Sequence, residues 1–156
     1  MSYTDIGQGY QYHLPIEEDR TWIEESLVGN SYWTADTIYN ASTPDETSDN
    51  FKISRIFSYS ETNQKLGIIL HQVIKPMSSL VNYGIVVHPT LRDKGVGHEF
   101  TKQLLRWDRD INKWSVDNYY FVFENSWDTT FLGDNWTKVT NTPFICCSIK
   151  LSEVTL

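Results

Sequence analysis

The stretch Ile85-Val-Val-His-Pro-Thr-Leu-Arg-Asp-Lys-Gly-Val-Gly97 decides how this chain reads. An apolar run, Leu80–Val87, stops at His88-Pro89, because proline cannot extend a strand ladder. The chain turns and two glycines open a helical pattern. Val96, Phe100, Leu104, Trp107 and Ile111 recur at steps of four, four, three and four, one stripe of a helix over Gly95–Ile111. The first amides of such a helix lack partners and carry the positive end of its dipole, which makes a diphosphate site. Gly95 and Gly97 put no Cβ in an anion's way, while Arg92 and Lys94 bring positive charge.

Other phosphate loops fit worse. No Gly-Lys-Ser/Thr end of a P-loop is present, and Gly7-Gln-Gly9 fails the dinucleotide fingerprint because Tyr12 stands where the third glycine belongs.

Outward from this junction, the chain reads as strand, helix, helix, three strands, the helix above, a strand, an irregular segment and two closing strands. Tyr10–Leu14 alternates weakly as a first strand. Pro15 opens a helix with acidic Glu17, Glu18 and Asp19 in its first turn, closed by Gly29-Asn30. A shorter helix is expected over Thr34–Ala41, and polar Ser42–Asn50 reads as a loop. Period-two alternation from Phe51 to Tyr59, a turn at Glu61–Gln64 and apolar Lys65–Ile74 make a hairpin. Tyr119–Phe123 is nearly all apolar, as a central strand should be. Asn125–Trp136 is irregular or weakly helical, and Thr137–Asn141 with Pro143–Leu151 closes the sheet.

Composition narrows the function classes. A chain of 156 residues suits one domain, 1–156, with a core that needs no metal or disulfide staple. A net charge of −7 argues against nucleic acid, which wants a basic footprint. The adjacent Cys146 and Cys147 point to opposite faces of a strand and read as buried small hydrophobes in a reducing compartment. The polar Met1–Gly9 is unlike a signal peptide, and no apolar run reaches membrane-spanning length. The expectation is a cytoplasmic protein, with no membrane, nucleic-acid or metal partner.

The junction resembles motif A of the GNAT family of N-acetyltransferases, roughly V-x-P-x-x-R-G-K-G-I/V-G. Here it reads Val87-His-Pro-Thr-Leu-Arg-Asp-Lys-Gly-Val-Gly97, with Asp93 in place of a common glycine. The element order is similar from end to end. The resemblance implies an α/β (α+β) fold: a mixed, mostly antiparallel sheet of six to seven strands flanked by three to four helices. It implies acetyl-CoA, or another acyl-CoA, as cofactor. Backbone groups of Ile85, Val86 and Val87 would pair with the pantetheine arm like an added strand, and Arg92, Asp93, Lys94, Gly95, Val96 and Gly97 would hold the pyrophosphate. Asn125, after the next strand, would contact the cofactor arm, unless it only caps a turn.

The implied reaction is direct transfer of an acetyl group to a primary amine of a small molecule or peptide, in a ternary complex. The chain departs from the family where a side chain would move protons. The family's late tyrosine falls on Phe131, with Trp136 in the following aromatic position, and Ser78–Tyr83 holds no strand carboxylate. The replacement candidates are Glu124 as base, Tyr83 as acid and His71 in the neighbouring strand, each with an ordinary structural alternative. His88 stands at the mouth of the expected cleft; Glu24, Glu25, Asp36, Asp128 and Asp134 are acids that would attract a cationic amine. The missing groups motivate an alternative: a degenerate domain of the same fold that binds acyl-CoA or a protein partner without turnover. A second copy of the chain is a further candidate partner, giving a homodimer.

Overall fold

The computed structural model describes residues 2–30, 33–124, 135–140 and 144–155. Eight strands form one sheet in the order β1-β2-β3-β4-β5-β6-β8-β7. They are β1 (Thr4–Gly7), β2 (Tyr10–His13), β3 (Asn50–Tyr59), β4 (Lys65–Ile74), β5 (Ser79–Val87), β6 (Asn118–Glu124), β7 (Thr137–Thr140) and β8 (Phe144–Lys150). Three α-helices are described: α1 (Arg20–Ser26), α2 (Ala35–Asn40) and α3 (Val96–Ile111). The sheet therefore has more strands than the six to seven expected.

The extra strand is β1, which forms a hairpin with β2 through Gly7-Gln8-Gly9. A four-residue edge strand with a single buried side chain, Ile6, leaves no alternation to read. Every neighbouring pair is antiparallel except β5 and β6, which run parallel. A parallel pair needs a crossover, and α3 supplies it. Thr34 caps α2 through its side chain, which accepts from the Thr37 amide at 3.2 Å, so this short helix begins where expected.

The helices cover opposite faces. On one, α1 and α2 bury Ile23, Leu27 and Ile38 against Ile56, Ile68 and Val86. On the other, α3 buries Phe100 and Leu104 against Tyr12, Phe57 and Ile69, and Leu105 against Phe51, Leu80 and Tyr119. Its buried face differs from the expected stripe. Ile111 is 52% exposed, while Thr101, Leu105 and Asp108 face inward. Asp108 belongs inside because Arg55 of β3, itself 1% exposed, donates to it at 3.1 Å. A buried charge is tolerated only when paired, so neither residue is recognisable as core without the other.

Candidate functional site

The site grows from the way β5 changes partners along its length. Against β4 its register slips: Ile69 pairs with Ile85 and His71 with Asn82, so two steps on β4 face three on β5. The extra residue is a bulge at Tyr83-Gly84. Gly84 has φ +117°, a left-handed value that side chains disfavour. The slip turns Ile85 and Val87 onto the α3 face and Val86 onto the α1 face. On its other edge β5 pairs with β6 only from Ser79↔Asn118 to Asn82↔Phe121. Beyond that the strands part, and past the bulge Ile85–Val87 has a sheet partner on one side only.

The parted end leads into a cavity of about 560 Å³. Its walls are Ile85–Val87 of β5, the turn residues Arg92, Asp93 and Gly95, the first turn of α3 from Val96 to His98, and Val28–Asn30 beyond α1. The N-cap of α3 is Gly95, which offers no side chain, and no side chain caps this terminus. A helix N-terminus of the kind that suits an anion and an open cavity therefore meet at one place.

The two turn glycines do different work. Gly95 stands open, while a Cβ on Gly97 would lie 2.8 Å from Val87 Cγ2 and 3.3 Å from Ile85 Cδ1. Gly97 is required for α3 to close on β5, a packing duty beside its place in the cavity wall. Asp93, at the family's glycine position, has φ +64°, a left-handed backbone that Asp tolerates better than most residues. Arg92 is also occupied. Its Nε donates to the Val87 carbonyl at 3.1 Å and an Nη to the Ser26 carbonyl at 3.2 Å, joining the turn to the C-terminal end of α1. Lys94 is exposed and does not line the cavity.

His88 braces the same corner. Its Nδ1 lies 2.8 Å from Thr90 Oγ1 and 3.3 Å from the Thr90 amide, and its Nε2 lies 3.2 Å from Glu25 Oε2. The ring stacks on Trp22 with centroids 5.5 Å apart. Glu25 is thus engaged by His88, and Asp36 lies 3.7 Å from Arg20; neither is an uncommitted acceptor-side acid.

Of the candidate proton carriers, Tyr83 opens the unpaired half of β5 and donates its phenol to Gln72 Oε1. Burial, and then the Cys146 thiol, push that phenol above its usual range, so it stays protonated. His71 is fully buried on the α3 side, its ring edge-on to Tyr119. Burial, and then Arg55, hold it well below the usual histidine range. His71 does not line the cavity and sits where a core residue would. Glu124 is the last residue of β6, where the described backbone stops. Asn125, Phe131, Asp128 and Asp134 lie outside the described residues. Cys147 is buried, Cys146 half-buried, and both are free thiols. Among the described residues no cluster of His, Cys, Asp and Glu could hold a metal ion. No helix of the described residues is long and apolar enough to cross a membrane.

Sequence reasoning missed the Val28–Asn30 wall. Gly29-Asn30 carried only the signal of a helix stop, and nothing local says that the residues after α1 reach the N-terminus of α3.

No family model and no curated protein matches the chain. Solved structures do. A variant of the spermidine N-acetyltransferase of Vibrio cholerae superposes with a TM-score of 0.67 at 12% identity, covering 95% of this chain and 97% of that one. The ribosomal-protein-S5-alanine acetyltransferase of Vibrio fischeri gives 0.67 at 10% identity over the whole of both chains. A GNAT-family acetyltransferase of Bacillus anthracis gives 0.66 at 11% identity, with 97% and 100% covered. The likeness is one of architecture: this chain has the GNAT fold.

Proposed function

We propose that this GNAT-fold chain is an N-acyltransferase that moves an acetyl group from acetyl-CoA to a primary amine. One observation carries the reading: an unpaired strand edge runs through a cavity onto the uncapped N-terminus of a sixteen-residue helix. The residues present suit the ligand. The free edge of Ile85–Val87 can pair with an extended amide-bearing arm, and the amides following Gly95 can take a pyrophosphate. Acetyl-CoA supplies the thioester, and everything else falls to the chain.

In direct transfer the amine nitrogen bonds to the acetyl carbon while the carbon–sulfur bond breaks. The amine loses one proton and the departing thiolate gains one. The backbone edge of β5 would hold and polarise the thioester carbonyl. Tyr83, kept protonated by burial, suits the acid that returns a proton to sulfur; Glu124, at the end of β6, is the proposed base, acting directly or through water. Asn125 and Phe131 are proposed cofactor neighbours by resemblance. The acceptors named for the similar structures, spermidine and a ribosomal-protein alanine, indicate a small or peptide amine here. A single domain in the cytoplasm, as a monomer or homodimer, completes the proposal.

The test is acetyl-CoA binding followed by turnover. Acetyl-CoA at a hundred times its dissociation constant should stabilise the fold by about 2.7 kcal/mol. Thiol release should then depend on an added amine from a panel of polyamines, amino-acid amides and short peptides. No thermal shift at millimolar acetyl-CoA sinks the reading. A shift without acceptor-dependent thiol release selects the degenerate, ligand-binding domain instead.

A further inference from the structure

The place where β5 leaves β6 coincides with a buried chain of polar side chains. Asn82 is the last β5 residue paired with β6, and on its other side it pairs with His71 of β4. Its Oδ1 accepts from the Gly84 amide at 2.7 Å, and its Nδ2 donates to the Tyr119 phenol oxygen at 2.9 Å. Tyr119 Oη lies in turn 3.4 Å from His71 Nε2. All three side chains are 0% exposed.

The donors and acceptors run one way. The Gly84 N–H fills Asn82 Oδ1, and the Asn82 amide then needs an acceptor, which among the described residues the phenol oxygen supplies. The Tyr119 hydroxyl proton is left to point at His71 Nε2, which accepts in the tautomer that carries its proton on Nδ1. Among the described residues the opposite ring nitrogen, Nδ1, has no partner. Gly84 has another carbonyl nearby, since a Cβ built on it would lie 3.5 Å from Val122 O of β6. Its N–H nevertheless goes to Asn82. A strand amide that bonded across to β6 would continue the ladder; this one is captured within its own strand.

We propose that Asn82, braced by Tyr119 and His71, is the positioning residue that ends β5–β6 pairing and so holds the Tyr83–Val87 edge open for the cofactor arm. The arm itself rests on the function proposed above; the capture of Gly84 does not. Asn82 touches no reacting atom and acts through the backbone it shapes. Removing its amide frees the Gly84 N–H to seek β6, and the edge that would receive the ligand closes or wanders.

The test uses the full chain and three variants. Asn82→Leu keeps the branched shape and removes both hydrogen bonds, Tyr119→Phe removes only the brace, and Val73→Ala, in the same core, is a packing control. Measured where all are folded by circular dichroism, Asn82→Leu should weaken acetyl-CoA binding tenfold or more and Tyr119→Phe about threefold. Val73→Ala should leave it unchanged. In the acyltransfer assay the loss should fall on the KM for acetyl-CoA more than on kcat. Amide exchange at Gly84, read by NMR without ligand, should quicken about tenfold in Tyr119→Phe. A folded Asn82→Leu that binds acetyl-CoA like the parent overturns the proposal. If Asn82→Leu does not fold, unchanged Gly84 exchange in Tyr119→Phe overturns it instead. If the parent binds no acetyl-CoA, the functional reading fails, and Gly84 exchange alone decides the positioning role.

Discussion

The two halves of β5 differ in what holds them. Ser79–Asn82 is paired on both edges and lies close to buried polar groups, with Asn82, His71, Tyr119, Arg55 and Asp108 all inside. Beyond the Tyr83-Gly84 bulge, Ile85–Val87 is paired with β4 alone, and the Ile85 and Val87 side chains meet α3 across a glycine. In sequence the halves look alike, since both are apolar strand. The comparison teaches that a free backbone edge, the part suited to a ligand, exists because the neighbouring stretch is over-determined. Perturbing the anchored half should therefore cost stability first, and perturbing the open half should cost ligand affinity.

The largest effect is expected in the anchored region. Arg55→Met leaves Asp108 buried without its partner, which should cost about 3–5 kcal/mol in urea unfolding. A loss below about 1 kcal/mol would show that the pair is not what fixes this face. Next comes the boundary between the halves. Gly84→Ala forces a Cβ onto a backbone at φ +117° and should cost about 1–3 kcal/mol, with weaker acetyl-CoA binding beyond that. A variant as stable as the parent would mean the bend is not set at Gly84.

Acid should sharpen the contrast. Burial lowers the folded pKa of His71 below its unfolded value near 6.5, so the unfolded chain takes up the proton first as pH falls. Stability is complete above about pH 6.5 and declines below it, by up to about 1.4 kcal/mol per pH unit for this group. His13 is lowered too, chiefly by burial, and acts in the same direction. Burial raises Asp108, with Arg55 opposing, so Asp108 acts in the reverse direction at lower pH. Comparing the parent with His71→Gln by urea unfolding at pH 7 and pH 5.5 isolates the contribution. Equal slopes in the two proteins would contradict it.

The smallest effect lies in the turn. Asp93→Gly relieves a left-handed backbone and removes a negative charge from the cavity wall. It should stabilise the fold by about 1 kcal/mol or less and tighten acetyl-CoA a few-fold by calorimetry. Weaker binding would mean that Asp93 makes a contact of its own with the ligand.

The junction from Leu80 to Ile111 was legible because its signals are local. A proline stops a strand, glycines begin a helix, and an apolar stripe at helical spacing says which side packs. The same holds for the β3–β4 hairpin and the Thr34 cap. What was illegible depends on partners far apart in the chain. Arg55 and Asp108 are charged residues that become core only through each other, 53 positions apart. His71 looks like a proton carrier in an apolar strand until Tyr119 and Asn82 close over it. The packing duty of Gly97 shows only when Val87 is found 2.8 Å from its missing methyl.

Sequence alone determined that a strand would stop at Pro89 and hand over to a helix whose first amides have no partners, because backbone geometry and side-chain period are properties of short segments. Only the tertiary structure decided that β5 would part from β6 after Asn82, and that the parted edge would lead into a cavity walled by residues beyond α1. Pairing between strands is a competition among hydrogen-bond partners from different parts of the chain, and its outcome is fixed only when those parts are packed together.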